Sequence, residues 1–228
     1  MQLQAQNWRS TPYQVYGGIA LSNYFGDIGG SAAENTIYGI RDLDIAMTRP
    51  VIIGGMRYFP GNFLAFNAGL AMGWLSGSDQ GGKNEHRGYS FSTVLLEPSA
   101  RLEFYPIKDF RIGSGVDRRG MVRNYSEFSA YIFTGAGAAF YHVFPNENLA
   151  ARQKRDNISH GLVTMVIPAG MGLKIGLSNN TDLGIEFGGR YAFNDFLDGF
   201  TNDISTSNDV YYLTSVQMVF RLPSLSLD

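Results

Sequence analysis

Apolar and polar positions alternate with a period of two along most of this 228-residue chain. From Leu64 to Trp74, every second position is apolar, and Ala, Asn or Gly occupies the positions between. This period puts alternate side chains on opposite faces of a strand, whereas a helix would spread them around its circumference. The pattern therefore predicts strands even for the charge-free stretch Tyr58–Ser78, which is otherwise long enough for a transmembrane helix.

Eight segments of the chain show this alternation. Strands of soluble sheets usually have about five or six residues, whereas a tilted strand needs about 9 to 11 residues to cross a bilayer. The eight segments all reach the length that a membrane requires. They are Tyr13–Phe25, Val51–Phe59, Phe63–Trp74, Tyr89–Tyr105, Glu127–Tyr141, Leu162–Ile175, Thr181–Asn194 and Val210–Leu222.

One face of these segments is apolar and carries no Lys, Arg, Asp or Glu, while the other face carries charges. A soluble barrel would show scattered charge on its exterior, whereas a lipid-facing Lys or Arg costs about 2 to 4 kcal/mol at the bilayer midplane. We therefore predict an all-β fold, an eight-stranded antiparallel transmembrane β-barrel in the outer membrane. The face predicted to contact lipid includes Val94, Leu96, Leu102, Ile167, Leu183, Ile185 and Val216.

The predicted barrel is a single domain of residues 13–222, with an N-terminal tail of residues 1–12 and a C-terminal tail of residues 223–228. Residues 1–6 read like the end of a secretory leader, and an ordinary chain terminus is the alternative.

The charges on the opposite face have two interpretations: a path for ions or a paired network that closes the lumen. An eight-stranded barrel has room inside only for side chains, and buried charges persist only when they are paired. We therefore predict a paired network inside the barrel. Its members are Glu97, Arg101, Glu103, Glu186, Arg190 and Arg221.

Connections between the segments differ in length. Pro60–Asn62 and Ser178–Thr181 are tight turns, and the links 26–50, 75–88, 142–161 and 195–209 are long. This alternation is typical of periplasmic turns and external loops, but the fourth connection, Pro106–Ser126, is long where a tight turn is expected. It is either a solvated basic surface or a periplasmic partner-binding loop. The basic residues concerned are Lys108, Arg111, Arg118, Arg119 and Arg123.

Two prolines, Pro98 and Pro168, lie inside the predicted strands, where proline removes a hydrogen-bond donor from the ladder. We therefore expect a β-bulge at each of them.

Composition narrows the functional classes. The net charge of −2 provides no overall positive potential that would attract nucleic acid, so we expect no nucleic-acid partner. The absence of cysteine excludes thiolate metal sites and cysteine nucleophiles. The histidines are too scattered for a metal cluster, and Ser159 and His160 are neighbours that would point to opposite faces of a strand. We therefore expect no catalytic residue, cofactor, metal or small-molecule substrate, and a protein that is not an enzyme.

Several segments resemble the PorG family, the outer-membrane barrel component of the type IX secretion system of Bacteroidetes. They are Gly17–Gly30, Thr48–Pro50, Gly54–Phe59, Leu96–Pro106 and Ile185–Tyr191. The resemblance implies an accessory or anchoring subunit that contacts the periplasmic ring of PorK and PorN. The alternative is a generic small barrel of OmpA or OmpW type, which serves adhesion, membrane integrity or small-ligand passage.

Overall fold

The computed structural model describes residues 12–26, 28, 47–80, 84–112, 126–156, 162–178, 180–200 and 208–222. A 3₁₀ turn, Glu85–Arg87, precedes the fourth strand, and helix α1, Glu147–Asp156, follows the fifth. The strands are β1 Tyr13–Phe25, β2 Arg49–Tyr58, β3 Leu64–Ser78, β4 Ser90–Ile112, β5 Ser126–Pro145, β6 Val163–Gly176, β7 Thr181–Ala192 and β8 Val210–Leu222.

The eight strands form a closed barrel in which each strand pairs antiparallel with its neighbour and β8 pairs with β1. A row of paired residues that starts at Tyr13 passes through the other seven strands and returns to β1 at Asn23. This stagger of ten residues tilts the strands by roughly 40° from the barrel axis. The predicted fold is confirmed.

The outer surface of the barrel is an apolar belt. On β3 the outward positions run from Leu64 to Trp74, which at about 3.3 Å per residue and this tilt gives a height of roughly 25 Å. Outer-membrane barrels have an apolar band of about that height between aromatic girdles. Aromatic side chains lie at both ends of the belt, with Tyr13 and Tyr58 at one end and Trp74, Tyr191 and Tyr212 at the other.

No Lys, Arg, Asp or Glu side chain that the structure describes in the eight strands is exposed. Ile185, for example, is 46% exposed, while the next residue along β7, Glu186, is 4% exposed. All seven predicted lipid-facing residues lie on the outer surface. An apolar outer belt around a charged interior is typical of a barrel that spans a membrane. The protein is located in the outer membrane.

The predicted bulges at Pro98 and Pro168 are wrong. The β4–β5 and β5–β6 registers are the same on both sides of these prolines. Only the residue pairs next to each proline are missing from the ladder, because proline has no N–H to donate. The register shifts occur instead further along β4, between Phe104 and Ile107 and between Ile107 and Phe110.

At the end of the barrel that carries the tight turns, which is the periplasmic end, β4 continues past its last pair with β3 and stays paired with β5. Leu64, the first residue of β3, pairs with Phe104, so the last residues of β4 have no β3 partner among the described residues. Residues 106–112 of β4 and residues 126–130 of β5, whose Phe128–Ala130 also pair with β6, are termed the periplasmic extension.

This extension corrects the prediction of a loop from Pro106 to Ser126. Lys108 and Arg111 belong to β4, which ends only at Ile112. The sequence alternation did not reveal this part of the strand, because each bulge adds a residue and so inverts the faces. Arg118, Arg119 and Arg123 lie outside the described residues.

The opposite, external end is covered by the segment after β7. Leu197 and Phe200 of this segment are buried, and the Thr93 hydroxyl donates a hydrogen bond to the Leu197 carbonyl at 2.7 Å. Leu149 of helix α1 packs in the same cluster as Phe200. Within the described chain, no helix has the length and apolar character needed to cross a membrane.

Candidate functional site

The candidate site is the lumen, where the inward-facing charges collect in three groups along the barrel. The periplasmic group is centred on Arg221 of β8. Its guanidinium binds the Asp182 carboxylate at 2.8 and 3.1 Å and donates to Glu127 at 2.7 Å. Asp109 of the periplasmic extension lies 3.8 Å from the same guanidinium.

Arg221 therefore fastens the periplasmic extension across the mouth of the barrel. Asp109 has a positive φ of 51°, and its N–H donates to the Ser129 hydroxyl at 3.0 Å. Lys108 points to the lumen as well, with its ammonium 3.9 Å from the centre of the Phe59 ring. The two bulges supply the bend, because a bulge increases the local twist of a strand.

Lys174 lies just inside this mouth and is 3% exposed. Its ammonium donates to the Gln14 side-chain carbonyl at 2.9 Å and lies 4.7 Å from the centre of the Tyr105 ring. The ammonium has no carboxylate within 4.0 Å in the described chain, so an amide dipole and aromatic rings stabilise it instead.

The central group contains two arginines and two glutamates from three strands. The Nε of Arg57 in β2 lies 3.0 and 2.9 Å from the two carboxylate oxygens of Glu103 in β4. Arg101 of β4 donates to Glu186 of β7 at 2.6 Å. The cross distances are 3.6 Å for Arg57–Glu186 and 3.8 Å for Arg101–Glu103, so the four residues form one cluster, the charge quartet.

Neutral side chains complete the hydrogen bonds of the charge quartet. The Tyr105 hydroxyl donates to Glu103 at 2.6 Å, and the Tyr131 hydroxyl donates to Glu186 at 2.9 Å. The Tyr16 ring packs against the Arg57 guanidinium, 4.2 Å from its centroid. Gly55 leaves the space for this ring, since a Cβ there would lie 2.6 Å from the Tyr16 hydroxyl.

The third group lies towards the external end and contains Glu97 and Arg190. The Arg190 Nε is 3.5 Å from one Glu97 oxygen, and the Tyr211 hydroxyl donates to the other at 2.7 Å. Beyond this pair the lumen is filled by an apolar layer. That layer includes Ala20, Val51, Leu75, Leu95, Tyr141, Val166, Leu197 and Leu213.

The six predicted interior residues all face the lumen, but they do not form one cluster. Arg101, Glu103 and Glu186 belong to the charge quartet. Glu97 and Arg190 form the separate pair, and Arg221 belongs to the periplasmic group. Within the described chain, the buried Arg57 Nη1, Arg101 Nε and Ser215 Oγ have no hydrogen-bond partner among the protein groups.

The predicted network omitted Lys174 and also Arg57, the fully buried centre of the quartet. The signal was present, because Arg57 lies between the outward-facing Met56 and Tyr58, and Lys174 lies between Leu173 and Ile175. Both are on the inner face by alternation alone.

Neither of the two described histidines lies in the lumen. His142 faces outward with its ring 4.8 Å from the Phe144 ring, and His86 lies in the 3₁₀ turn. Ser159 and His160 lie outside the described residues. No group of three or more His, Cys, Asp or Glu residues that could hold a metal ion occurs in the part of the chain that the structure describes.

The model of one protein family covers nearly the whole barrel. A family described as a domain of unknown function, DUF6089, matches residues 15–214, from β1 into β8. The chain belongs to the DUF6089 family. The DUF6089 domain in this chain is therefore the barrel itself. No curated protein matches the chain.

Solved structures similar to this DUF6089 barrel include small membrane proteins. Neisserial surface protein A has 9% identity over 93% of this chain and 99% of its own, with a TM-score of 0.46. OprG of Pseudomonas aeruginosa has 10% identity over 95% and 98%, with a TM-score of 0.44. The outer membrane protein AlkL, solved in lipid bilayers, has 12% identity over 100% and 98%, with a TM-score of 0.42.

Proposed function

We propose that this DUF6089 barrel is a non-conducting outer-membrane anchor, whose two ends are available to other molecules while its lumen carries no solute. The observation that carries this proposal is the filled cross-section of the lumen. Arg57 and Glu103 are both 0% exposed in the middle of the barrel, and Leu75 and Leu95 are 0% exposed nearer the external end. A pore needs a continuous aqueous path, which such packing does not provide.

The packing supports an anchor over small-ligand passage for a second reason. The layer next to the Glu97–Arg190 pair consists largely of packed apolar side chains, among them Leu75, Leu95 and Leu213. Moving an ion through an apolar layer carries a large desolvation cost. Adhesion and membrane integrity need no open lumen, so both remain compatible with the anchor.

Ion conductance in planar lipid bilayers tests this proposal. The purified full chain is inserted, and a general porin inserted under the same conditions serves as the positive control. We expect no stable current steps above the bare-bilayer baseline. Long-lived steps of uniform size, proportional to the number of inserted barrels, would overturn the proposal.

A second candidate function is an accessory subunit of the type IX secretion system that contacts the periplasmic PorK and PorN ring. The sequence resemblance suggests this candidate, and the periplasmic extension supports it. Ile107 and Phe110 lie beyond the last residue pair between β3 and β4, at the periplasmic end, and are 43% and 61% exposed. Exposed apolar patches are typical of protein contacts.

Co-purification of the ring from native membranes tests the second candidate. The double variant Ile107→Ser/Phe110→Ser changes the exposed side chains of the extension, and Phe144→Ser is the matched control at the external end, where Phe144 is 55% exposed. We expect at least a tenfold loss of co-purified PorK and PorN with the double variant and no loss with the control. Recovery at the wild-type level with both variants would contradict the proposed contact.

A further inference from the structure

A small cavity lies in the lumen between the charge quartet and the Glu97–Arg190 pair. Its volume is about 20 Å³, and its wall includes Tyr16 and Ser215 besides the charged side chains. Four of the lining residues are charged: Glu97, Arg101, Glu186 and Arg190. The cavity is thus the place where two groups of buried charges face each other.

Two of the lining residues have polar atoms without a protein partner. The Ser215 hydroxyl oxygen and the Arg101 Nε are buried, and neither makes a hydrogen bond to any described protein group. Their residues are 3% and 6% exposed. A buried polar group without a partner costs about 1 to 3 kcal/mol, so native structures usually satisfy such groups with protein or with ordered water.

We propose that this cavity binds one structural water molecule, which accepts a hydrogen bond from Arg101 Nε–H and exchanges one with the Ser215 hydroxyl. The cavity volume suits one water molecule. A volume of about 10 to 15 Å³, measured as the space open to the centre of a water molecule, is enough to hold one. Glu97 supplies a third partner. Its Oε1 has only a long contact of 3.5 Å with Arg190, so it accepts a hydrogen bond from the water.

The charge balance of the wall favours water over an ion. Two carboxylates and two guanidiniums line the cavity, so the site offers no net charge to a cation or an anion. The cavity wall contains both hydrogen-bond donors and acceptors, which favours a small neutral molecule that can donate and accept hydrogen bonds at the same time. Water is the smallest such molecule, and buried waters typically make about three hydrogen bonds.

This water joins the charge quartet to the Glu97–Arg190 pair. Without it, no hydrogen bond or ion pair among the described residues links the two groups, since Arg101 and Glu186 pair with each other and Arg190 pairs with Glu97. The bound water therefore makes one continuous polar network across the middle of the lumen. Its role is structural, and it supports the seal rather than a path for solutes.

A high-resolution crystal structure of the full chain, grown in a lipid phase, tests the proposal directly. We expect one discrete density peak in the cavity, within 3.2 Å of both Ser215 Oγ and Arg101 Nε. The same crystals soaked in bromide give no anomalous peak at this position. No density, or an anomalous bromide peak, would overturn the assignment of a water.

Two serine variants test the named partner. Ser215→Ala removes one hydrogen-bonding group, so the occupancy of the peak should fall by at least half. Ser22→Ala is the matched control, because Ser22 is also buried but its hydroxyl already contacts the Arg49 carbonyl at 3.2 Å and it does not line the cavity. Full occupancy in Ser215→Ala would contradict the role of Ser215.

Discussion

The Arg57–Glu103 pair is the most deeply buried ion pair among the described residues, and its contribution to stability can be measured. Both side chains are 0% exposed, and the Arg57 Nε contacts both carboxylate oxygens. Removing one partner of such a pair typically costs about 3 to 5 kcal/mol, because the other charge is left buried. Replacing both partners costs much less than the sum of the two single changes.

The neighbours of the pair determine where each variant falls in that range. In Glu103→Gln, Arg57 keeps Gln217 and Tyr131 at 3.1 and 3.2 Å and has Glu186 at 3.6 Å. We therefore expect about 3 kcal/mol for this variant, the lower end of the range. In Arg57→Met, the nearest cation to Glu103 is Arg101 at 3.8 Å, so we expect a larger loss, near 4 kcal/mol.

A double-mutant cycle measures the coupling between the two residues. Each variant is unfolded with urea in lipid vesicles, and the free energy of unfolding is obtained by linear extrapolation with the slope checked for constancy. We expect the double variant to be about 2 to 3 kcal/mol more stable than the sum of the single losses implies. Lys154→Met, on an exposed position of α1, is the control and should change stability by less than about 0.5 kcal/mol. Additive losses within about 0.5 kcal/mol would refute the reasoning, because they would mean that Arg57 and Glu103 do not interact.

Three further predictions concern the outside, the periplasmic mouth and the backbone. Ile185→Arg places a charge on the lipid face and should destabilise the barrel by about 2 to 4 kcal/mol in urea titrations in vesicles, and an unchanged midpoint would contradict the lipid contact. Arg221→Gln removes the charge that holds Asp109, so the periplasmic extension should become susceptible to limited proteolysis while the barrel stays resistant. Equal cleavage of the variant and the wild-type protein would contradict the role of Arg221 in holding the extension. Gly170→Ala should lower the unfolding midpoint, because a Cβ there would lie 2.3 Å from a backbone oxygen of β7, whereas Gly61→Ala, with open space around it, should leave the midpoint unchanged.

The architecture was predictable from the sequence because one physical rule applies to every strand. Each inward side chain is followed by an outward one. An apolar belt around a charged interior therefore produces an alternation of apolar and polar residues that is visible in a short stretch of sequence. Two strands, Tyr13–Phe25 and Val210–Leu222, have the predicted bounds. Strand β7 also begins at the predicted Thr181, and the remaining ends differ by one to seven residues.

The periplasmic extension was not predictable in the same way. Two bulges shift the alternation after Phe104, and the bend that brings Asp109 to Arg221 depends on a contact across the lumen. Contacts between strands on opposite sides of a barrel leave no mark in local periodicity. For the same reason, the face of each charge was predictable, but the separation of the charges into three groups was not.

The central claim about the molecule is that the apolar face of the strands contacts lipid while the charged face is sealed inside the barrel. Single nitroxide labels at Leu183, Ile185 and Phe187, three successive outward positions of β7, test this claim in lipid vesicles. We expect all three labels to collide readily with oxygen dissolved in the bilayer and hardly at all with a water-soluble nickel chelate. High accessibility to the chelate at these positions would mean that the apolar face meets water, and it would contradict the central claim.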